Sequence, residues 1–184
     1  MKINSNNRKN PPLKGHLKEM KFDMEEADSN TNNHEQFMLM ALELARDAFE
    51  AGETPVGAVI VDDTGKVIGR GRNRREKEKR ATAHAEIEAI NDACTALGDW
   101  RLTGCSLYVT LEPCPMCAGA VLGARINKLF YGARDGLTGS CGSVTNIFME
   151  PYNHKVQITG GILDADCGMI LSDFFKKRRS REGG

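Results

Sequence analysis

The sequence predicts an α/β domain built on a mixed sheet that carries helices on both faces. Two observations lead there. Runs rich in β-formers alternate with stretches of helical periodicity, in the order α-β-β-α-β-α-β-β-α. The first two strands flank Asp62-Asp63-Thr64-Gly65, a turn composition that folds them into a hairpin.

In chain order, residues 1 to about 33 are rich in Asn, Lys, Glu and Asp, hold Pro11-Pro12 and sustain no periodicity. They read as a flexible polar N-terminal extension, with the folded domain over residues 34–184. Met20, Phe22 and Met24 alternate only briefly, and His16 and His34 read as solvated. Asn33 with Gln36 fits a capping box that opens the first helix. Phe37, Ala41, Leu44, Ala45 and Ala48 follow at helical spacing, and Gly52 ends it. Val56–Val61 and Lys66–Arg70 form the hairpin.

A second helix runs from about His84 to Leu97 behind Thr82 as N-cap, with Ile87, Ile90, Cys94 and Leu97 on its inner face. Ser106–Thr110 is a short strand. The third helix opens near Pro115, a favourable first-turn position for proline, and ends by Gly123. Lys128–Tyr131 and Lys155–Ile158 are strands. A last helix, from about Ala165 to Arg179, buries Cys167, Ile170, Leu171 and one of Phe174 or Phe175. Between Ala133 and His154 lies a long Gly-, Ser- and Asn-rich loop, a length that is often functional.

Lys+Arg and Asp+Glu both number 25, so net charge gives no support for nucleic-acid binding and any basic surface must be local. The six cysteines, with no apolar leader and no stretch able to span a membrane, fit a cytoplasmic protein with reduced thiols better than a disulfide scaffold.

One constellation carries chemistry: His84-Ala85-Glu86, then Pro113-Cys114-Pro115-Met116-Cys117. The order H-x-E…P-C-x-x-C is the known mark of zinc-dependent nucleobase deaminases. Cys114 and Cys117 are three apart at a helix start, so they share a face, and the positive helix end favours thiolate. One imidazole and two thiolates leave a tetrahedral ion one open position, which catalytic zinc needs for water. His84 and Glu86 lie on opposite sides of a regular helix, so both reach one ion only if His84 sits in an irregular helix start. Two thiolates cancel the charge of Zn²⁺, which makes a nearby base useful and gives Glu86 that role rather than ligation. A redox pair leaves His84-Ala85-Glu86 unexplained, and a structural Cys₄ site lacks a second cysteine pair. Cys94 and Cys167 read as core residues, while Cys105 and Cys141 have no assigned role. His154 reads equally as a surface or a site-neighbouring residue.

The segments Thr82–Glu86 and Thr110–Ala120, with Pro55–Val59, Asn73, Tyr131–Asp135, Asn153-His154 and Leu171–Arg179, resemble the bacterial tRNA-specific adenosine deaminases over about residues 35–180. The metal motif alone marks only the wider cytidine deaminase-like superfamily. The resemblance implies a three-layer α/β/α domain around a five-stranded mixed sheet, a homodimer, and one Zn²⁺ per subunit. It implies a substrate too: the wobble adenosine in the anticodon stem-loop of an arginine tRNA, deaminated to inosine. Asn73 then holds the nucleoside, Asp135 lines the pocket, and Phe174 or Phe175 with the basic run Lys176–Arg179 meets the anticodon stem-loop. Without the family, Asn73 ends a strand, Asp135 is a turn residue and the basic run is a solvated helix end. The metal motif by itself leaves a deaminase of a free base or nucleotide as the alternative, and a non-catalytic zinc module as a weaker one. Arg74–Arg80 is highly charged and lacks the proline-containing loop of relatives.

Overall fold

The structure is a computed structural model that describes residues 16–182, with side chains from Asn33 to Ser180. The expectation for residues 1–15 lies outside the described residues, as do the side chains of His16, Met20, Phe22 and Met24. The chain divides into two units, Met1–Asn33 and His34–Gly184, and the sheet and the motif residues all belong to the second.

Among the described residues five helices and five strands follow in chain order: α1 His16–Glu50, β1 Gly57–Val61, β2 Val67–Arg72, α2 Arg75–Glu78, α3 Ala85–Leu97, β3 Ser106–Leu111, α4 Pro115–Gly123, β4 Lys128–Ala133, β5 Gln157–Gly160 and α5 Asp164–Glu182. A 3₁₀ turn, Ile147–Met149, lies within the long loop. The strands form one sheet in the order β2-β1-β3-β4-β5. β1 pairs antiparallel with β2 and β3, whereas β3, β4 and β5 run parallel. This is the mixed five-stranded sheet the resemblance implies.

Alternation along the strands, broken at Ala133, builds two cores. Ala58 and Ile60, Leu107 and Val109, and Leu129 and Tyr131 face α3 and α4. Val59 and Val61, Tyr108, and Phe130 and Ala133 face Phe37, Met38, Ala41 and Leu42 of α1 and Cys167 of α5. The result is three layers, with the central strands β1, β3 and β4 buried on both sides and the edge strands β2 and β5 more exposed.

Four expectations about elements are corrected. Helix α1 begins at His16, not at an Asn33 cap. Residues 16–50 contain no glycine or proline and many strong helix formers, so propensity carries a helix that amphipathic periodicity does not announce. Helix α3 turns Ala85, Ala89 and Ala93 inward with Ile90, while Leu97 is 47% exposed. The reason is close approach: a Cβ on Gly71 would lie 2.0 Å from the carbonyl oxygen of Ala85, and one on Gly69 2.4 Å from that of Ala89. Only small side chains fit a helix pressed so near a strand. Helix α2 is too short to show a period. His34 is not solvated: its ring stacks on Phe130 at 4.3 Å between centroids, and Nδ1 lies 2.7 Å from the Tyr108 hydroxyl.

Candidate metal and active site

Two helix starts meet at one place. His84 is the N-cap of α3 and Cys114 the N-cap of α4, both extended, with ψ of 154° and 171°. The cap of α3 is therefore His84 itself rather than Thr82, whose carbonyl accepts the His84 peptide N–H at 2.8 Å. The extended backbone removes the objection that positions i and i+2 diverge: His84 precedes the helix and Glu86 sits in its first turn. Pro115 opens α4, its missing N–H costing nothing there.

The imidazole Nδ1 of His84 lies 3.8 Å from Cys114 Sγ and 3.6 Å from Cys117 Sγ. Donor atoms of all three residues fall within 4.8 Å of one another. A tetrahedral zinc ion with bonds of about 2.3 Å to sulfur and about 2.0 Å to nitrogen sets its donors roughly 3.5 to 3.8 Å apart. The residues present therefore fit the ion in both chemistry and spacing.

Electrostatics at this cluster is congested. Hydrogen bonding from the Cys117 thiol, reinforced by His84, pulls Cys114 down to about 4 against the opposing effect of burial. Cys117 is pushed well above the usual thiol range by that same shared proton, by burial and by the charge of Glu86. The hydrogen bond to Cys114 raises His84, with burial opposing. Glu86 is 4% exposed, and burial lifts it above the usual carboxylate range; the Cys114 charge adds to this, while its own peptide N–H and His84 oppose. Such a buried, anion-rich donor set is relieved by a divalent cation, whose binding expels the thiol proton.

A cleft of about 130 Å³ opens onto these groups, lined by Thr54, Val56, Asn73, Arg75, His84 and Glu86. Asn73 is thus beside Glu86, its peptide N–H bound to the Val56 carbonyl at 3.1 Å. Asp135 is committed elsewhere. Its carboxylate accepts the peptide N–H groups of Leu137 at 2.8 Å and Thr138 at 3.2 Å, and the Thr138 hydroxyl at 2.5 Å. Phe174 is a core residue, 7% exposed and edge-on to Phe49, whereas Phe175 is 42% exposed. His154 is structural: its Nε2 binds the Ile126 carbonyl at 2.6 Å. Of the two cysteines without an assigned role, Cys105 belongs to the core, and Cys141 packs against it with its thiol pushed up to about 12 by burial.

Sequence reasoning passed over two buried carboxylates that shape the rims of the site. Glu53, 1% exposed, accepts the peptide N–H groups of Glu76 at 3.0 Å and Lys77 at 2.7 Å, and so caps α2 from a distance. Glu112, also 1% exposed, accepts from Asp135, Cys141 and Ser143 peptide groups and from the Ser143 hydroxyl. Burial raises its affinity for a proton, but these four donors outweigh it and hold the carboxyl below its usual range. The available signal was a lone Glu in each of two apolar, proline-bearing segments, Gly52–Val56 and Leu111–Pro113.

A family model of MafB19-like deaminases matches residues 32–179. The chain is 47% identical over 149 residues to the tRNA-specific adenosine deaminase of Bacillus subtilis (strain 168), spanning 80% of this chain and 92% of that protein. A solved structure from work on A-to-I editing by tRNA:A34 deaminases at the wobble position is 47% identical, with a TM-score of 0.71, over 74% of this chain and 99% of that one. A guanine deaminase from Nitrosomonas europaea is similar at 26% identity and a TM-score of 0.68, over 76% of this chain and 83% of that one.

Proposed function

This chain belongs to the MafB19-like deaminases and, among them, to the bacterial tRNA-specific adenosine deaminases; from that membership we propose that it converts the wobble adenosine of an arginine tRNA to inosine. The observation that carries the deaminase chemistry is the placement of buried Glu86 beside a His84–Cys114–Cys117 donor set at zinc spacing, while the likeness to tRNA-specific adenosine deaminases supports the substrate. His84, Cys114 and Cys117 would hold one Zn²⁺ per subunit, which when bound acidifies a water molecule and polarises it for attack.

The remaining steps fall to the chain. Glu86 takes a proton from the attacking water and holds it for delivery to the base. Oxygen bonds to adenine C6 while Glu86 delivers the proton to ring N1. Glu86 then carries the proton of the new C6 hydroxyl to the exocyclic amine, the C6–N bond breaks as the C6 carbonyl forms, and ammonia leaves. Asn73, on the cleft wall, is suited to hydrogen-bond the nucleoside. The adenosine must leave the anticodon stack to enter so small a cleft, which costs least in a loop. Exposed Phe175, at the head of the basic end of α5, remains available to RNA; Phe174 supports it from the core, and Asp135 acts by shaping its loop.

A homodimer accords with the apolar residues left exposed on α4 and in the long loop, among them Met116, Leu137 and Met149. Among the described residues no helix is long and apolar enough to cross a membrane, and a tRNA substrate accords with a cytoplasmic enzyme.

The likeness to a guanine deaminase gives the second reading, deamination of a free base or nucleotide. Incubation with arginine tRNA, a tRNA lacking the wobble adenosine, and free adenosine, cytosine and guanine separates them. Inosine formed only in the first supports the proposal; turnover of a free base alone overturns it.

A further inference from the structure

Between Arg70 and Arg80 seven residues are cationic and two, Glu76 and Glu78, are anionic, an excess of five in a chain of zero net charge. This segment forms the end of β2 and all of α2. β2 is an edge strand with β1 as its single neighbour. Gly69 and Gly71 occupy the face pressed against α3, so the alternation Gly-Arg-Gly-Arg turns Arg70 and Arg72 away from that helix. With Arg74 they line a cleft of about 430 Å³ that wraps the sheet edge, with Asn91 and Thr95 opposite.

Two acids, Glu88 and Asp92, are part of the lining of this cleft, and both are already engaged. Glu88 pairs with Arg80, and Asp92 accepts the Arg70 peptide N–H at 2.9 Å. Arg74 pairs with Glu78 at 3.2 Å. Among the described residues neither Arg70 nor Arg72 has a carboxylate partner; Arg72 only reaches the Asp47 carbonyl at 3.4 Å. Arg74 stands between Asn73 and Arg75, both on the small cleft with His84 and Glu86. Consecutive residues of one segment therefore line both the edge cleft and the active-site cleft.

We propose that the β2 edge is an RNA-backbone surface that continues the catalytic cleft, with Arg70 and Arg72 each binding a phosphate of the substrate strand outside the target nucleotide. Alternate strand residues lie about 6.7 Å apart, close to the step between successive phosphates of an extended strand. Guanidinium groups suit phosphate bidentately. The inference rests on the reading of the substrate as RNA. A bland role exists for the same arginines, since charge on an edge strand discourages pairing with other chains.

The double variant Arg70→Ala/Arg72→Ala separates the two. Steady-state deamination of an anticodon stem-loop RNA, with its affinity titrated over a salt series, is the measurement. The expected result is a raised KM, unchanged kcat, metal content and melting temperature, and a plot of log affinity against log salt that is shallower by about 1.4 to 2. Arg70→Lys/Arg72→Lys should restore the slope. Unchanged affinity and slope overturn the proposal, as does a fall in kcat alone; added aggregation at unchanged affinity assigns the arginines to edge protection. If the double variant does not fold, Arg70→Ala alone should give half the slope change. Failure of the wild type to deaminate the stem-loop at all overturns the substrate reading instead.

Discussion

The carboxylate of Glu112 accepts the peptide N–H of Cys141 at 2.8 Å although the two residues are 29 positions apart. The same carboxylate holds Asp135 and Ser143, and a Cβ on Gly139 would lie 2.5 Å from its Cδ. It stands two residues before Cys114, so one buried anion joins the turn that carries Cys114 to the long loop.

Glu112→Ala should therefore strand three peptide N–H groups and cost about 2–4 kcal/mol of stability, measured by urea unfolding. Glu112→Gln keeps the shape but turns one acceptor into a donor, and should cost nearly as much. A loss below about 0.5 kcal/mol in both would show that the loop holds itself, since surface substitutions fall in that range.

Glu86→Gln should retain full zinc content and lose about 10²- to 10⁴-fold in kcat, the usual worth of a positioned proton carrier. Metal analysis alongside single-turnover kinetics checks both halves. Near-normal turnover would remove the proposed proton path.

The range of each interaction decides which features were legible in the sequence and which were hidden. His84, Glu86, Cys114 and Cys117 lie in two short motifs whose spacing survives in any fold that joins two helix starts. The strands announced themselves by composition. Ala85, Ala89 and Ala93 did not announce themselves as the buried face of α3, because the cause lies in Gly69 and Gly71 on another element. Glu53 and Glu112 stayed hidden for a related reason: a carboxylate that caps a remote turn has no local pattern. Phe174 and Phe175 were ambiguous at core spacing, and only packing against Phe49 distinguishes them.

Cys114→Ala removes a donor rather than an outer partner. Its zinc affinity should fall by more than the roughly 10–100-fold that losing an outer partner costs. Dialysis against a chelator followed by metal analysis reads this directly. Stoichiometric zinc after dialysis would exclude Cys114 as a ligand.

Glu53→Ala should act on the rim and not on the chemistry. Loss of its two hydrogen bonds, to Glu76 and Lys77, frees α2 next to Asn73 and Arg75. The expected outcome is a several-fold rise in KM for RNA, little change in kcat, and about 1–2 kcal/mol lost in stability, as for a removed helix cap. A fall in kcat with unchanged KM would place Glu53 in the reaction instead.

His34 supplies a pH dependence whose sign is fixed by its surroundings. Burial, and then the charge of Lys128, hold its pKa below the usual value of 6.5. Its Nδ1 lies 2.7 Å from the Tyr108 hydroxyl, which donates to a neutral ring but not to a protonated Nδ1. The unfolded chain then binds a proton near pH 6.5 that the folded chain refuses, so stability is fully present above that pH. It declines as pH falls from there through the folded pKa, because the unfolded state is the more protonated one in that window. The ring signals of His34 in NMR should titrate below 6.5, and His34→Asn should flatten the fall in melting temperature between neutral and mildly acidic pH relative to the wild type. Titration at or above 6.5 would mean that the stack on Phe130 leaves the ring in water, and the docking of α1 on β3 and β4 through this histidine would then carry no pH dependence.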